Sequence, residues 1–176
     1  MVEHKIIVTG PMGAGKTTAI AAVSEIDPIV TDVLNNDTSV NKEMTTVGFD
    51  YGQLTLDNGD RIRLFGTPGQ ERFKFMWQTL AKNALGVIIL ADNSRPDPMA
   101  DLAIYLDGFA EQLKTLPCVI GIGRSETHPQ PDLQQYADKL ETAGHVFPLL
   151  PVDVRIKSDV VLLVDTLLSQ IEADLI

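Results

Sequence analysis

"GPMGAGKTT", Gly10 to Thr18, closes the apolar run "HKIIVTG" near the start of the chain and opens a segment of helical character. It matches the phosphate-loop pattern G-x-x-x-x-G-K-[ST], with Gly10, Gly15, Lys16 and Thr17 at the fixed positions, in the strand-to-helix context that such a loop needs. Gly13 and Gly15 let the chain turn so that consecutive N–H groups point inward at phosphate oxygens. The helix behind them contributes its positive N-terminal end. Lys16 is expected to bridge the β- and γ-phosphates, and the Thr17 hydroxyl to ligate Mg2+. The expected nucleotide-binding set in this loop is Gly10, Gly13, Ala14, Gly15, Lys16, Thr17 and Thr18. A ligand-free glycine turn would require neither the lysine nor the threonine, so the stretch reads as a site for a nucleoside triphosphate or diphosphate. By itself it does not choose among small-molecule kinases, ATPases and GTPases.

Working outward, apolar runs of strand length alternate with segments of helical period. "HKIIVTG", "VGFDYGQLTL", "RIRLFG", "GVIILAD", "CVIGIG" and "HVFPLL" predict strands. The "DNGD" between the second and third carries Asn58-Gly59, a hairpin signal that makes those two strands antiparallel neighbours. Met99, Leu102, Ala103, Leu106, Phe109, Ala110 and Leu113 repeat at three and four, as do Val160, Leu163, Val164, Leu167, Leu168 and Ile171 behind Ser158, a candidate N-cap. Further helices are expected at 16–25, 72–83 and 131–143. This order predicts an α/β fold of one domain over 1–176, a mostly parallel sheet with helices on both faces. The stretch from about Asp27 to Thr46 reads as irregular, and connections of that length are usually functional.

The 176 residues are 44% hydrophobic, enough for one substantial core. Carboxylates outnumber Lys and Arg by 24 to 14, a net charge of −10 that argues against nucleic acid or an anionic membrane as partner. The single cysteine, Cys118, lies in an apolar run and is expected to be buried, in a reducing compartment. No segment approaches the roughly 20 apolar residues needed to span a bilayer. No signal-peptide or lipidation pattern marks either end. The expectation is a cytoplasmic protein without a membrane anchor of its own.

Two downstream stretches narrow the reading. "TTVGFDYGQL" (45–54) resembles the first switch of Ras-like GTPases, above all the "PTIGF" of the Arf branch. "LFGTPGQERFKFMW" (64–77) resembles their second switch, "WDTAGQERF". The chain thus resembles a prokaryotic Ras-like small GTPase, nearest the group of the gliding protein MglA and the actinobacterial conservon GTPases. That resemblance implies a six-stranded sheet with one antiparallel edge strand, a bound GTP or GDP with Mg2+, and slow hydrolysis assisted by a partner, of the roadblock type in that group. It implies that Thr46 completes the Mg2+ shell, with Thr45 as the alternative register, that the Gly69 N–H senses the γ-phosphate, and that Gln70 orients the attacking water. Lys16 and Gln70 are then the catalytic pair, and Thr17 and Thr46 the metal ligands.

Several positions depart from the family pattern. Gly66 stands where the family carries an Asp that helps hold magnesium; Asp92 is a candidate for its place or, alternatively, a brace for a loop. Met12 replaces a small glycine and is positioned to crowd Gln70. The base-reading "NKxD" becomes Gly123-Arg124-Ser125-Glu126, in which Arg124 is expected to stack on the base and Glu126 to accept from guanine. The "SAK" motif becomes Asp153-Val154-Arg155, with the Val154 backbone near the base. Arg72 is either an arginine finger in cis or a solvated loop residue. Three readings follow: a switch GTPase, a nucleotide-binding module without turnover, and a P-loop small-molecule kinase. The last is disfavoured because segment 124–145 carries only Arg124 and Lys139 where a kinase lid needs several arginines.

Overall fold

The computed structural model describes residues 1–34 and 46–174. Strands β1 (Glu3–Thr9), β2 (Ile29–Leu34), β3 (Thr46–Thr55), β4 (Arg61–Gly66), β5 (Gly86–Asp92), β6 (Cys118–Gly123) and β7 (Leu149–Val152) form one sheet in the order β2-β3-β4-β1-β5-β6-β7. From β4 to β7 all neighbours are parallel, while β3 runs antiparallel to both β4 and β2. The α/β architecture and the six expected strands are present. The seventh, β2, lies within the stretch read as irregular, and places the antiparallel strand β3 one position in from the edge. "IVTDVL" is rich in β-branched residues, which suit a pleated ladder. Residues 35–45 lie outside the described residues.

Helices α1 (Lys16–Val23), α2 (Lys74–Ala81), α3 (Pro98–Gly108), α4 (Leu133–Thr142) and α5 (Lys157–Ala173) flank the sheet. Strand alternation divides the core in two. Ile6, Val8, Ile88 and Leu90 pack beneath α1 and α5, whereas Ile7, Val87, Ile89 and Ala91 pack beneath α2, α3 and α4. Every residue of β5 and β6 is buried, as central parallel strands covered on both faces must be. Cys118 is among them, and burial pushes its thiol pKa up.

The hairpin is as expected: Leu56 and Asp60 close it by a backbone bond of 2.7 Å, and Gly59 takes φ 86, which its missing Cβ allows. Two expectations are corrected. Ser158 does not cap α5; it lies within the helix, and Ile156 at the N-cap position provides no side-chain bond. Asp159 in the first turn instead reaches back to accept the Asp153 N–H at 2.9 Å, tying the preceding loop to the helix. The last strand begins at Leu149, not His145. Pro148 precedes it, and Pro151 is tolerated inside it because β7 is an edge strand.

Candidate functional site

Strand β1 ends beneath a cleft of about 1030 Å³ that the phosphate loop walls on one side. Gly10, Gly13 and Gly15 have φ of 147, 83 and 97, values that side-chain-bearing residues rarely adopt. Close packing adds a second demand. A Cβ on Gly10 would lie 2.3 Å from the Leu90 carbonyl oxygen, and one on Gly15 would lie 2.6 Å from a Val154 methyl. Val154 therefore roofs the loop by side-chain contact, beyond the backbone approach expected of it. Ala14 is buried under the loop, Thr18 lines the cleft, and α1 starts at Lys16 with its N-terminus towards the cleft.

Lys16 is 8% exposed. Its ammonium donates to the carbonyls of Gly10 (2.7 Å) and Pro11 (2.9 Å). Burial lowers its pKa to about 8; the Asp50 carboxylate opposes that shift, and the Arg95 charge adds to it. A partly desolvated cation on the wall of the cleft is suited to polyphosphate, whose charge would return what burial removes.

The Thr17 hydroxyl donates to Asp50 Oδ2 at 2.6 Å. Asp50 lies on β3 directly opposite Gly66 on β4, and a Cβ on Gly66 would lie 3.1 Å from Asp50 Cβ and 3.2 Å from its Oδ2. A carboxylate from the neighbouring strand thus sits beside the position where the sequence carries Gly66 in place of an acid. Asp92 does not fill this place. It accepts from the Ser94 N–H at 2.9 Å and hydroxyl at 2.6 Å, and from Arg124 Nη1 at 2.6 Å. Burial would raise the Asp92 carboxyl, but these bonds outweigh it and hold it below its ordinary range. Thr45 lies outside the described residues, as does the side chain of Thr46, which opens β3.

Gly69 brings the second switch-like stretch onto the phosphate loop: a Cβ there would lie 2.7 Å from Lys16 Nζ and 2.7 Å from Met12 N. Gln70 points its amide at Met12, with Nε2 to Sδ at 3.6 Å, so the crowding read from the sequence is a direct contact. Arg72 instead stacks on the Phe73 ring, 4.8 Å from its centroid. Arg95 was not singled out by the sequence; it pairs with Asp101 on α3, and its Nη1 approaches the Met12 carbonyl at 3.4 Å.

At the other end of the cleft, Arg124 takes φ 59, and its guanidinium bridges Asp92 to the Gly13 carbonyl (3.1 Å). The loop behind it is braced by Asn93, whose amide donates to the carbonyls of His128 and Pro131 while its oxygen accepts the Tyr136 hydroxyl. Asn93, directly after β5, thus ties this loop to α4. Glu126 lines the cleft beside Val154 and Arg155. Arg155 is exposed and clamped to Asp153 by bonds of 2.6 and 2.9 Å.

No family model matches the chain. It is 31% identical to an uncharacterized protein of Methanocaldococcus jannaschii over 93 residues, 53% of each chain. Intraflagellar transport protein 22 of Chlamydomonas reinhardtii is 27% identical over 68% of this chain and 62% of its own length. The chain thus spans between half and two thirds of these two relatives. Ras-related protein RabC of Dictyostelium discoideum is 24% identical over 97% of this chain and 84% of its own. Among solved structures, the G domain of the T. maritima FeoB iron transporter superposes with a TM-score of 0.67 at 18% identity, covering 95% of this chain and 98% of that one. The fold is that of the Ras-like GTPases. Among the described residues no helix is long and apolar enough to cross a membrane.

Proposed function

We propose that this chain is a guanine-nucleotide switch of the Ras-like type, binding GTP and GDP with Mg2+ and hydrolysing GTP slowly. The observation that carries the reading is the convergence on Lys16. The buried ammonium, the Thr17–Asp50 pair and Gly69 come from segments far apart in sequence and meet at one end of a single cleft. Such a meeting has no structural purpose in a ligand-free turn.

In this reading the loop amides and Lys16 hold the β- and γ-phosphates, and Gly69 N–H senses the γ-phosphate. The donor set fits magnesium: a hydroxyl and a carboxylate 2.6 Å apart are hard oxygen ligands of the kind this ion takes, and Thr17 with Asp50 would hold it. Thr46 is assigned the second protein ligand by resemblance. Bound there, Mg2+ would neutralise phosphate charge. Gln70 orients the attacking water, and its contact with Met12 must break before it can do so. That contact supports slow intrinsic turnover and an activating partner. A roadblock-type partner, placement in the prokaryotic MglA-like group, a cytoplasmic setting and the extent 1–176 as one domain complete the proposal.

A second reading, a binding module without turnover, is favoured by the same Gln70–Met12 contact. Identification of the nucleotide that co-purifies, followed by chromatography of labelled GTP and ATP after incubation, separates the two. GDP released from GTP supports the switch. Bound but unhydrolysed nucleotide supports the module, and ATP turnover would overturn the guanine assignment.

A further inference from the structure

We infer that Trp77, with Tyr105, is a positioning residue that aims the Gly69 N–H into the cleft and so sets the preference for triphosphate over diphosphate. The inference rests on the proposed role of Gly69 as the γ-phosphate sensor.

Trp77 is the one tryptophan of the chain and is 0% exposed. Its indole N–H donates to the Pro68 carbonyl at 2.9 Å, and the Tyr105 hydroxyl donates to the Gly69 carbonyl at 3.0 Å. Two successive peptide planes are therefore held by their carbonyls. A trans peptide is planar with its C=O and N–H opposed, so fixing the Pro68 oxygen fixes the direction of the Gly69 N–H. Trp77 and Tyr105 lie in the core beneath α2 and α3. The Pro68 oxygen points towards the indole in that core, so the Gly69 N–H points the opposite way, and both Pro68 and Gly69 line the cleft. Among the described residues no backbone oxygen accepts that N–H.

The clamp is itself rigid. The indole stacks on Tyr105 (4.9 Å, 24°) and on Phe109 (5.6 Å, 4°). Gly108 leaves it room, since a Cβ there would lie 2.7 Å from Trp77 Cζ3. Donor and acceptor thus belong to different elements: α2 and α3 hold the backbone that β4 delivers to the phosphate loop. A γ-phosphate would meet a donor already aimed at it, and GDP would not engage that donor.

Trp77→Phe keeps the stacked ring and removes the donor; Tyr105→Phe removes only a hydroxyl. Calorimetry with GDP and with a non-hydrolysable GTP analogue, both with Mg2+, is expected to show the analogue weakened roughly three- to tenfold in each variant, the range of one lost hydrogen bond. GDP affinity should stay within about twofold. In 15N-labelled wild-type protein, the single indole N–H resonance should differ between the two nucleotide states. Equal losses for both nucleotides, or no loss in either variant together with an indole signal indifferent to the γ-phosphate, would overturn the inference. Wild-type protein that binds neither nucleotide would remove the switch reading itself, a distinct outcome.

Discussion

The Asp50 carboxylate takes the space that a side chain on Gly66 would need, and from there accepts the Thr17 hydroxyl at 2.6 Å. Asp50 on β3 lies opposite Gly66 on β4 in a fixed register, which is what lets a carboxylate from β3 face this hydroxyl. Asp50→Ala is expected to raise the Mg2+ concentration needed to retain nucleotide by about tenfold or more, the usual cost of losing an outer partner of a metal site. Nucleotide release measured against Mg2+ checks this. The pair Asp50→Gly with Gly66→Asp should recover part of the loss, and Gly66→Asp alone should not, because two carboxylates would crowd one space.

Lys16 gives a pH signature. Its pKa falls from 10.5 to about 8 in the folded, nucleotide-free protein, so the unfolded chain holds the proton more tightly. The cost of the buried charge is present in full below pH 8 and is relieved as pH rises towards 10.5. Relative to Lys16→Met, nucleotide-free wild type should gain stability across that window, by at most about 3 kcal/mol. Chemical denaturation of both proteins at a series of pH values reads the difference. The same variant should show no thermal stabilisation by GDP.

Gln70 and Met12 should act in opposite directions. Gln70→Leu is expected to slow single-turnover hydrolysis roughly a hundredfold, the scale of misplacing one reacting group, without weakening GTP binding. Met12→Gly removes the sulfur that Gln70 contacts at 3.6 Å and should accelerate it. An unchanged rate in both variants would favour the module without turnover.

Base choice rests on Glu126. A carboxylate accepting two hydrogens from guanine, at roughly 1.5–3 kcal/mol for each charge-assisted bond, predicts a GTP preference over ATP of about a hundredfold or more. Glu126→Ala should weaken GTP binding and leave ATP little changed. Comparable wild-type affinities for the two nucleotides would remove guanine specificity from the proposal.

The phosphate loop, the hairpin at Asn58-Gly59 and the stripes of α3 and α5 were legible because each is set by neighbours within a few residues, and the mostly parallel sheet because strands and helices alternate along the chain. Glycine at a positive φ, apolar residues at helical spacing and β-branched runs carry their geometry with them. Strand β2 escaped because its short β-branched run is interrupted by Asp32 and becomes a strand by pairing with β3, 12 to 22 residues on. Asp50 escaped for the same reason: its role follows from lying opposite Gly66, a relation of register with no local signal, although the adjacent glycine where an acid was expected was the clue. Trp77 carried no reading of its own in the sequence, and the structure buries it in the core. That its N–H also holds the Pro68 carbonyl was decided by packing, since a buried donor must find an acceptor and the fold supplied one beside the cleft. Sequence determined which chemistry the loop can do; tertiary structure decided which distant side chains meet it, because those meetings depend on strand register and helix packing, and no short stretch of sequence encodes either.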